Sequence, residues 1–273
     1  MRLTRKGEDT IRLFIYISAI LTLSIVLWIL GHILVNGIIR LNWNEVLKDT
    51  GIYPSIINTI FIVILSIFIS APLGIGAAIY LNEYAQEGRL VDVIRYSIQS
   101  LAGIPSIIFG LFGMIVFVVG LGLKWSILSG ALTLGIMILP IIIKTTEEAL
   151  KTVPISLKEG SLSLGASRIQ TIYKVVLPTA LPGIMVSMIL SVGRVIGETA
   201  AVYLTAGMVP RIASSLLDSG RTLSVHLYIL AKEGISFELA YFTAAILILF
   251  ILIINGVSNY IGRVIQKKLK GID

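Results

Sequence analysis

The chain has 273 residues, 56% of them hydrophobic and 14% charged, with a mean hydropathy of +0.96 and a net charge of +7. A soluble domain typically carries about a quarter charged residues, so this composition points away from a soluble fold and toward a membrane protein. The Lys and Arg residues gather neither on one face nor in a basic tail, which argues against nucleic-acid binding, and the absence of Cys removes disulfides, thiolate metal sites and Cys nucleophiles. Apolar runs without internal charge cover 13–40, 52–82, 97–124, 125–143 and 239–261, and a further run over 180–207 is interrupted only by Arg194 and Glu198. Each reaches the ~20 residues that span hydrocarbon, which predicts an all-α polytopic protein with six transmembrane helices in one bundle, 1–273.

In chain order, the first run follows a basic tail of Arg2, Arg5 and Lys6 but is too long for a signal peptide and lacks a small-residue cleavage pattern, so it reads as a retained helix. Segment 91–101 is part polar and ends at Gly103-Ile104-Pro105, where an interfacial turn is expected before the third span. Gly103, Gly110 and Gly113 read as packing surfaces, as does the stripe Gly183, Ser187, Ser191. With the N terminus inside, the inner segments hold 15 of the 22 Lys and Arg and the outer ones 6, among them Arg40, Lys48 and Lys124. That asymmetry predicts both termini in the cytoplasm.

Two polar segments are long enough for structure of their own. In the inner one, 145–173, Pro154 followed by Ser156 marks a helix start, and Gly165 marks a break. In the outer one, 208–237, Arg211, Arg221 and His226 read as an ordinary solvated surface, with no metal site indicated. Glu147 and Glu148 read as groups that solvate the inner segment.

Arg194 and Glu198 are the only Asp, Glu, Lys or Arg residues in the interior of a run. Arg194 lies about 18 Å along the helix from Pro182 at 1.5 Å per residue, near mid-membrane. A spacing of four predicts that the two share one helix face and pair, either as a structural ion pair or as part of a polar pathway.

The spacing Glu159-Gly160-Ser161, three residues, Gly165, nine residues, Val175-Val176-Leu177-Pro178 resembles the docking signature of ABC importer permeases, with Gly160, Ser161 and Val175 as departures from the usual residues. The resemblance implies a MetI-like, type I importer permease fold. It also implies that 145–178 is a cytoplasmic coupling loop seated on an ATPase subunit through Glu159, Gly160, Ser161, Gly165, Leu177 and Pro178. Pro178 is expected to end that segment. No Gly-x-x-x-x-Gly-Lys-Ser/Thr loop occurs, so the chain is expected not to be an enzyme; it binds no cofactor, and ATP and Mg belong to the partner ATPase.

GIPSIIFGLFG at 103–113, PIIIKTTEEAL at 140–150, LPTALPGI at 177–184, GRVIGETAAVYLTAG at 193–207 and RTLSVHLYILAKEG at 221–234 narrow the likeness to the PstA-type permeases of phosphate importers. That implies a second, PstC-like permease, a PstB-like ATPase dimer, a PstS-like extracytoplasmic binding protein and phosphate as partners. Arg194 would offer a planar donor fork to phosphate oxygens. Glu198 would either compensate Arg194 or accept the proton that hydrogen phosphate carries and sulfate lacks. Lys144 stands where such permeases often carry Arg, either meeting phosphate at the inner exit or anchoring the span at the interface. An importer of sulfate or molybdate, or a membrane sensor or scaffold subunit, is the alternative. An intramembrane enzyme lacks a catalytic constellation in the spans.

Overall fold

A computed structural model describes residues 5–39 and 52–270, and at 5–10, 261 and 265–270 it describes the backbone alone. The outer-loop positions Arg40 and Lys48, and Arg2 of the N-terminal tail, lie outside the described residues. Among those described every regular element is helical: α1 Arg5–Ile39, α2 Ile52–Ile79, α3 Arg89–Ala102, α4 Ser106–Gly113, α5 Ile127–Lys151, α6 Ile155–Ser163, α7 Arg168–Thr171, α8 Leu177–Gly197, α9 Ala200–Thr205, α10 Leu223–Lys232 and α11 Phe237–Lys270. Five helical stretches are long and apolar enough to cross a membrane, and a sixth counts if α3 and α4 are taken as one bent span. α6 lies at the lower end of the bundle and α10 at the upper end.

Three spans run through a π-helical turn. Tyr80–Tyr84 closes α2, Met114–Gly120 extends α4, and Ile172–Val176 joins α7 to α8. In the last, the Leu177 N–H donates to the Ile172 carbonyl, five residues back, immediately before Pro178, which has no N–H to offer. Helical backbone therefore continues from Arg168 to Gly197, and Pro178 sits at the first turn of α8 instead of ending the docking segment as expected.

The expected turn at Gly103-Ile104-Pro105 is present and is sharper than a simple interfacial turn: α3 meets α4 at 100°. Only Ser106–Gly120 then follows the bundle axis, so the span 97–124 divides into an amphipathic helix lying across the lower end and a short upright segment. Val91, Ile94 and Ile98 of α3 pack on the lower end of α5, whereas Leu90, Val93 and Tyr96 are exposed. The 180–207 run is likewise broken, at Gly197.

α5 is the axis of the fold. Leu134, Met137, Ile138 and Ile142 have no appreciable exposure, and α2 and α8 flank the helix. In lipid, apolar side chains gain little from leaving the solvent, so helix contacts rest on close packing of small residues. A methyl added at Gly74 of α2 would lie 2.6 Å from Ile142 Cγ2, and one at Gly130 would lie 2.9 Å from Ala206 Cβ. On α8, Gly183 abuts Ala149, and buried Ser187 and Ser191 return their hydroxyls to Ile184 and Ser187 carbonyls, so this stripe packs on α5 as expected. Gly110 and Gly113 also pack tightly, on α9 and on Thr133; Gly103 instead sits at the bend. α1 stands apart, exposed along most of its length, and touches α11 where Gly37 meets Tyr241 and Ala245.

Candidate functional site

α8 ends inside the bundle. Glu198 adopts an extended conformation, φ −76 and ψ 127, and its N–H turns back to Val195 O at 3.2 Å. α9 starts two residues later, with Ala201 against Gly110 of α4, which sets the break within the packed bundle and away from its upper rim. The two charges therefore do not share a continuous helix face, and among the described residues no hydrogen bond or ion pair joins them. The physical reason is the backbone: four residues place side chains together only while the helix lasts.

Each charge instead complements one helix end. Arg194 occupies the last turn of α8, where unpaired carbonyls favour a cation. Glu198 Oε1 accepts the Ala201 N–H of α9 at 3.4 Å, and its carbonyl accepts the Ser224 hydroxyl of α10 at 2.7 Å. Glu198 is half-buried and Arg194 is exposed on the surface of this chain.

The outer segment 208–237 is only in part the solvated surface that its charges suggested: Arg211 and 214–217 are exposed, whereas His226 is buried. Asn58 of α2, fully buried, gathers it: the side-chain amide donates to Arg211 O at 2.9 Å and Arg221 O at 3.3 Å, and its Oδ1 accepts the Ala213 N–H at 3.0 Å. Thr59, one residue on, accepts the Leu223 N–H at 2.9 Å. α10 is thereby drawn down against α2, α9 and α11, and His226 is 5% exposed. Burial, with the positive charge of Arg221 nearby, lowers the His226 pKa to about 4. Burial also lowers the Arg221 pKa, an effect opposed by Glu233. Arg211 remains exposed.

At the lower end, Pro154 precedes α6 as expected, and the helix has no buried residue. Glu159 and Gly160 are exposed, Leu164 is 90% exposed, and nothing lies within 4 Å of a methyl built on Gly160. Gly165 takes φ +83, the left-handed region that glycine enters without strain, and this turns the chain from α6 into α7. Ser161 does not face outward: its hydroxyl meets Thr171 Oγ1 at 2.9 Å. Leu177 and Pro178 are half-buried at the start of α8.

Lys144 is exposed on α5 and borders a cavity of about 170 Å³ with Arg95, Gln99, Glu147, Glu148 and Lys151. Glu147 is buried and serves structure, contrary to its reading as a solvating group. Its Oε1 receives Arg95 Nε and Nη2, both at 2.9 Å, and Lys151 Nζ at 2.8 Å. The Glu147–Lys151 spacing of four was visible in the sequence, but Arg95, on α3, carried no such signal. Glu83 was missed as well; it lies in the π turn that closes α2 and binds Lys158 of α6. Among the described residues no cluster of His, Asp and Glu could hold a metal ion.

Residues 70–271 match the family described as binding-protein-dependent transport system inner membrane component. The probable ABC transporter permease protein YqgI of Bacillus subtilis (strain 168) is 32% identical over 93% of this chain and 94% of its own length. The phosphate transport system permease protein PstA 1 of Mycobacterium tuberculosis (strain CDC 1551 / Oshkosh) is 33% identical over 71% of this chain and 67% of its own. A chain of the bacterial alginate ABC transporter, solved in complex with an alginate pentasaccharide-bound periplasmic protein, has the same fold at 18% identity. Its TM-score is 0.72, with 97% of this chain and 99% of that one covered.

Proposed function

The chain belongs to the binding-protein-dependent transport system inner membrane component family, and from that premise we propose that it forms half of the translocation pathway of an ATP-driven phosphate importer. Membership makes it a multi-pass inner-membrane permease subunit of an ABC importer and not itself an enzyme. The substrate rests on more: relatives named as phosphate permeases, and Arg194. A guanidinium within a membrane span is costly in lipid, and the one here is exposed on this chain's own surface. That single observation carries the reading. Such a cation needs a second protein surface or water in front of it, and a pathway between two permease subunits supplies both.

Phosphate oxygens suit the planar fork of Arg194. Glu198, held at the start of α9, limits how tightly the anion is retained and offers an acceptor for the proton of hydrogen phosphate. Lys144, beside the Glu147 ion pairs, meets phosphate at the lower, cytoplasmic exit. In this reading both termini are cytoplasmic. A PstC-like permease completes the pathway, a PstS-like binding protein delivers phosphate from the upper side, and a PstB-like ATPase dimer holds ATP and Mg. The exposed helix α6, with Glu159 and Gly160 open and the Gly165 turn at its end, supplies the docking surface for that ATPase. ATP binding draws the coupling loops together and shifts the pathway between two access states.

The test is phosphate uptake by the assembled transporter in liposomes. Arg194→Ala is expected to lower uptake at least tenfold with assembly unchanged, and Arg194→Lys to retain a part of it. Uptake equal to that of the parent in Arg194→Ala sinks the pathway assignment. Competition by sulfate and molybdate across pH then decides between phosphate and another oxyanion.

A further inference from the structure

Force entering at α6 has an obvious route into α8 through α7 and the Ile172–Val176 turn. That helix ends at Gly197, and through the Glu198 N–H bond to Val195 O the route reaches Glu198 only at its backbone. A second connection leaves from the other side of the docking helix. Glu83, in the π turn at the lower end of α2, accepts Lys158 Nζ of α6 on Oε1 at 2.5 Å, and the same oxygen accepts Asn82 Nδ2 at 2.7 Å. The side chains of Glu83 and Lys158 are only 9% and 24% exposed, so the pair is shielded from screening. From beyond the Gly165 turn, Arg168 donates to the Glu83 carbonyl, and its guanidinium lies 4.9 Å from the centre of the Tyr84 ring. The lower end of α2 is thus gripped by both arms of the docking loop.

This grip matters because α6 buries none of its own residues. Its position against the bundle is set by a few side-chain bonds, and among the described residues Lys158–Glu83 is the ionic one. At its upper end, α2 carries Asn58 and Thr59, which hold Ala213 and Leu223, and Ser224 bonds the Glu198 carbonyl. One helix therefore joins the docking loop to the segment that fixes Glu198, bypassing the break in α8.

Building on the functional reading above, we propose that Glu83 is a positioning residue that couples the docking helix to α2, making α2 a carrier of ATPase-driven motion to the Glu198 region. The pair transmits displacement of α6 along α2. Removing its charge leaves docking in place and lets the loop move without the helix.

The experiment uses the full complex of this chain, its second permease, ATPase and binding protein in liposomes, with phosphate uptake and ATP hydrolysis measured together. Glu83→Gln is expected to keep ATPase co-purification and hydrolysis within twofold of the parent while phosphate moved per ATP falls at least fivefold. The exchanged pair Glu83→Lys with Lys158→Glu is expected to restore that ratio to within twofold. An unchanged ratio in Glu83→Gln overturns the proposal. A second readout does not depend on phosphate. The chain has no Cys, so nitroxides on Phe68→Cys of α2 and Leu252→Cys of α11, both exposed positions, report α2 displacement. A distance change on ATP binding that is lost in Glu83→Gln supports the proposal, and one that persists overturns it. A parent complex that hydrolyses ATP without moving phosphate defeats the substrate reading alone, and the nitroxide distances still decide the role of Glu83.

Discussion

Replacing Asn58 with Ala removes three hydrogen bonds that close the upper segment onto α2, to Arg211 O, Arg221 O and the Ala213 N–H. Asn58 is fully buried and Ala213 nearly so, which leaves water little access to the stranded groups. A buried polar group left without a partner costs about 1–3 kcal/mol, so the Ala213 N–H and the Arg211 carbonyl together set an expected loss of about 3 kcal/mol. For a chain of this size each kcal/mol moves the melting temperature by roughly 2–4 °C, giving a drop of about 6 to 12 °C in detergent or nanodiscs. Two comparisons grade the result. Thr59→Val keeps the shape but removes the acceptor for the Leu223 N–H, with an expected cost of about 1 kcal/mol. Asn36→Ala removes a bond that only returns to the preceding turn of α1, at His32 O, and is expected to be close to neutral. Melting of Asn58→Ala within 1 °C of the parent would refute the claim that this amide anchors the segment.

Stability is expected to fall with acidification through His226. Its folded pKa lies below the ordinary value of 6.5, so the unfolded chain binds the proton more readily. The stabilising contribution is complete above about pH 6.5 and declines as pH falls toward 4, by up to about 3 kcal/mol. His226→Gln should flatten melting temperature against pH in that window, and an unchanged slope speaks against a buried neutral His226. Gly183→Val forces a branched side chain into Ala149 at the α8–α5 contact and is expected to destabilise by about 1–3 kcal/mol in the same melting assay. Gly160→Ala, with open space around it, is expected to leave stability unchanged or raised by up to about 1 kcal/mol.

The spans were legible because lipid demands long apolar runs, and the bend before α4 because Pro105 and Gly103 mark it in the chain itself. The start of α6 after Pro154 and the turn at Gly165 follow from the same local chemistry. The break after Gly197 was not legible. Glu198-Thr199-Ala200 contains no proline, and the extended backbone there is held from outside the segment, by Ser224. The burial of His226 was hidden for a similar reason. It follows from Asn58 and Thr59, more than 150 residues away in the chain, whose side chains make the bonds that pull α10 inward. Arg194 was identifiable as an intramembrane charge, but its relation to Glu198 depended on a helix that the chain does not continue. The acidic anchors divide in the same way. Glu147 was recognisable as a partner for Lys151 by spacing, whereas its union with Arg95, and that of Glu83 with Lys158, exist only once separate helices are stacked.

The upright part of the third span, Ser106–Gly120, has eight α-helical and seven π-helical residues. At ~1.5 Å per residue it reaches about 22 Å, against a hydrocarbon layer of about 30 Å. Its outward face carries Ile107, Ile108, Leu111, Phe112, Ile115 and Val119, all exposed on this chain. Lipid beside that face must thin to match it, at a cost of fractions of a kcal/mol for every ångström of mismatch. A second protein surface covering the same strip relieves the deformation, so the bilayer's own elasticity favours pairing at this face before any specific contact is counted.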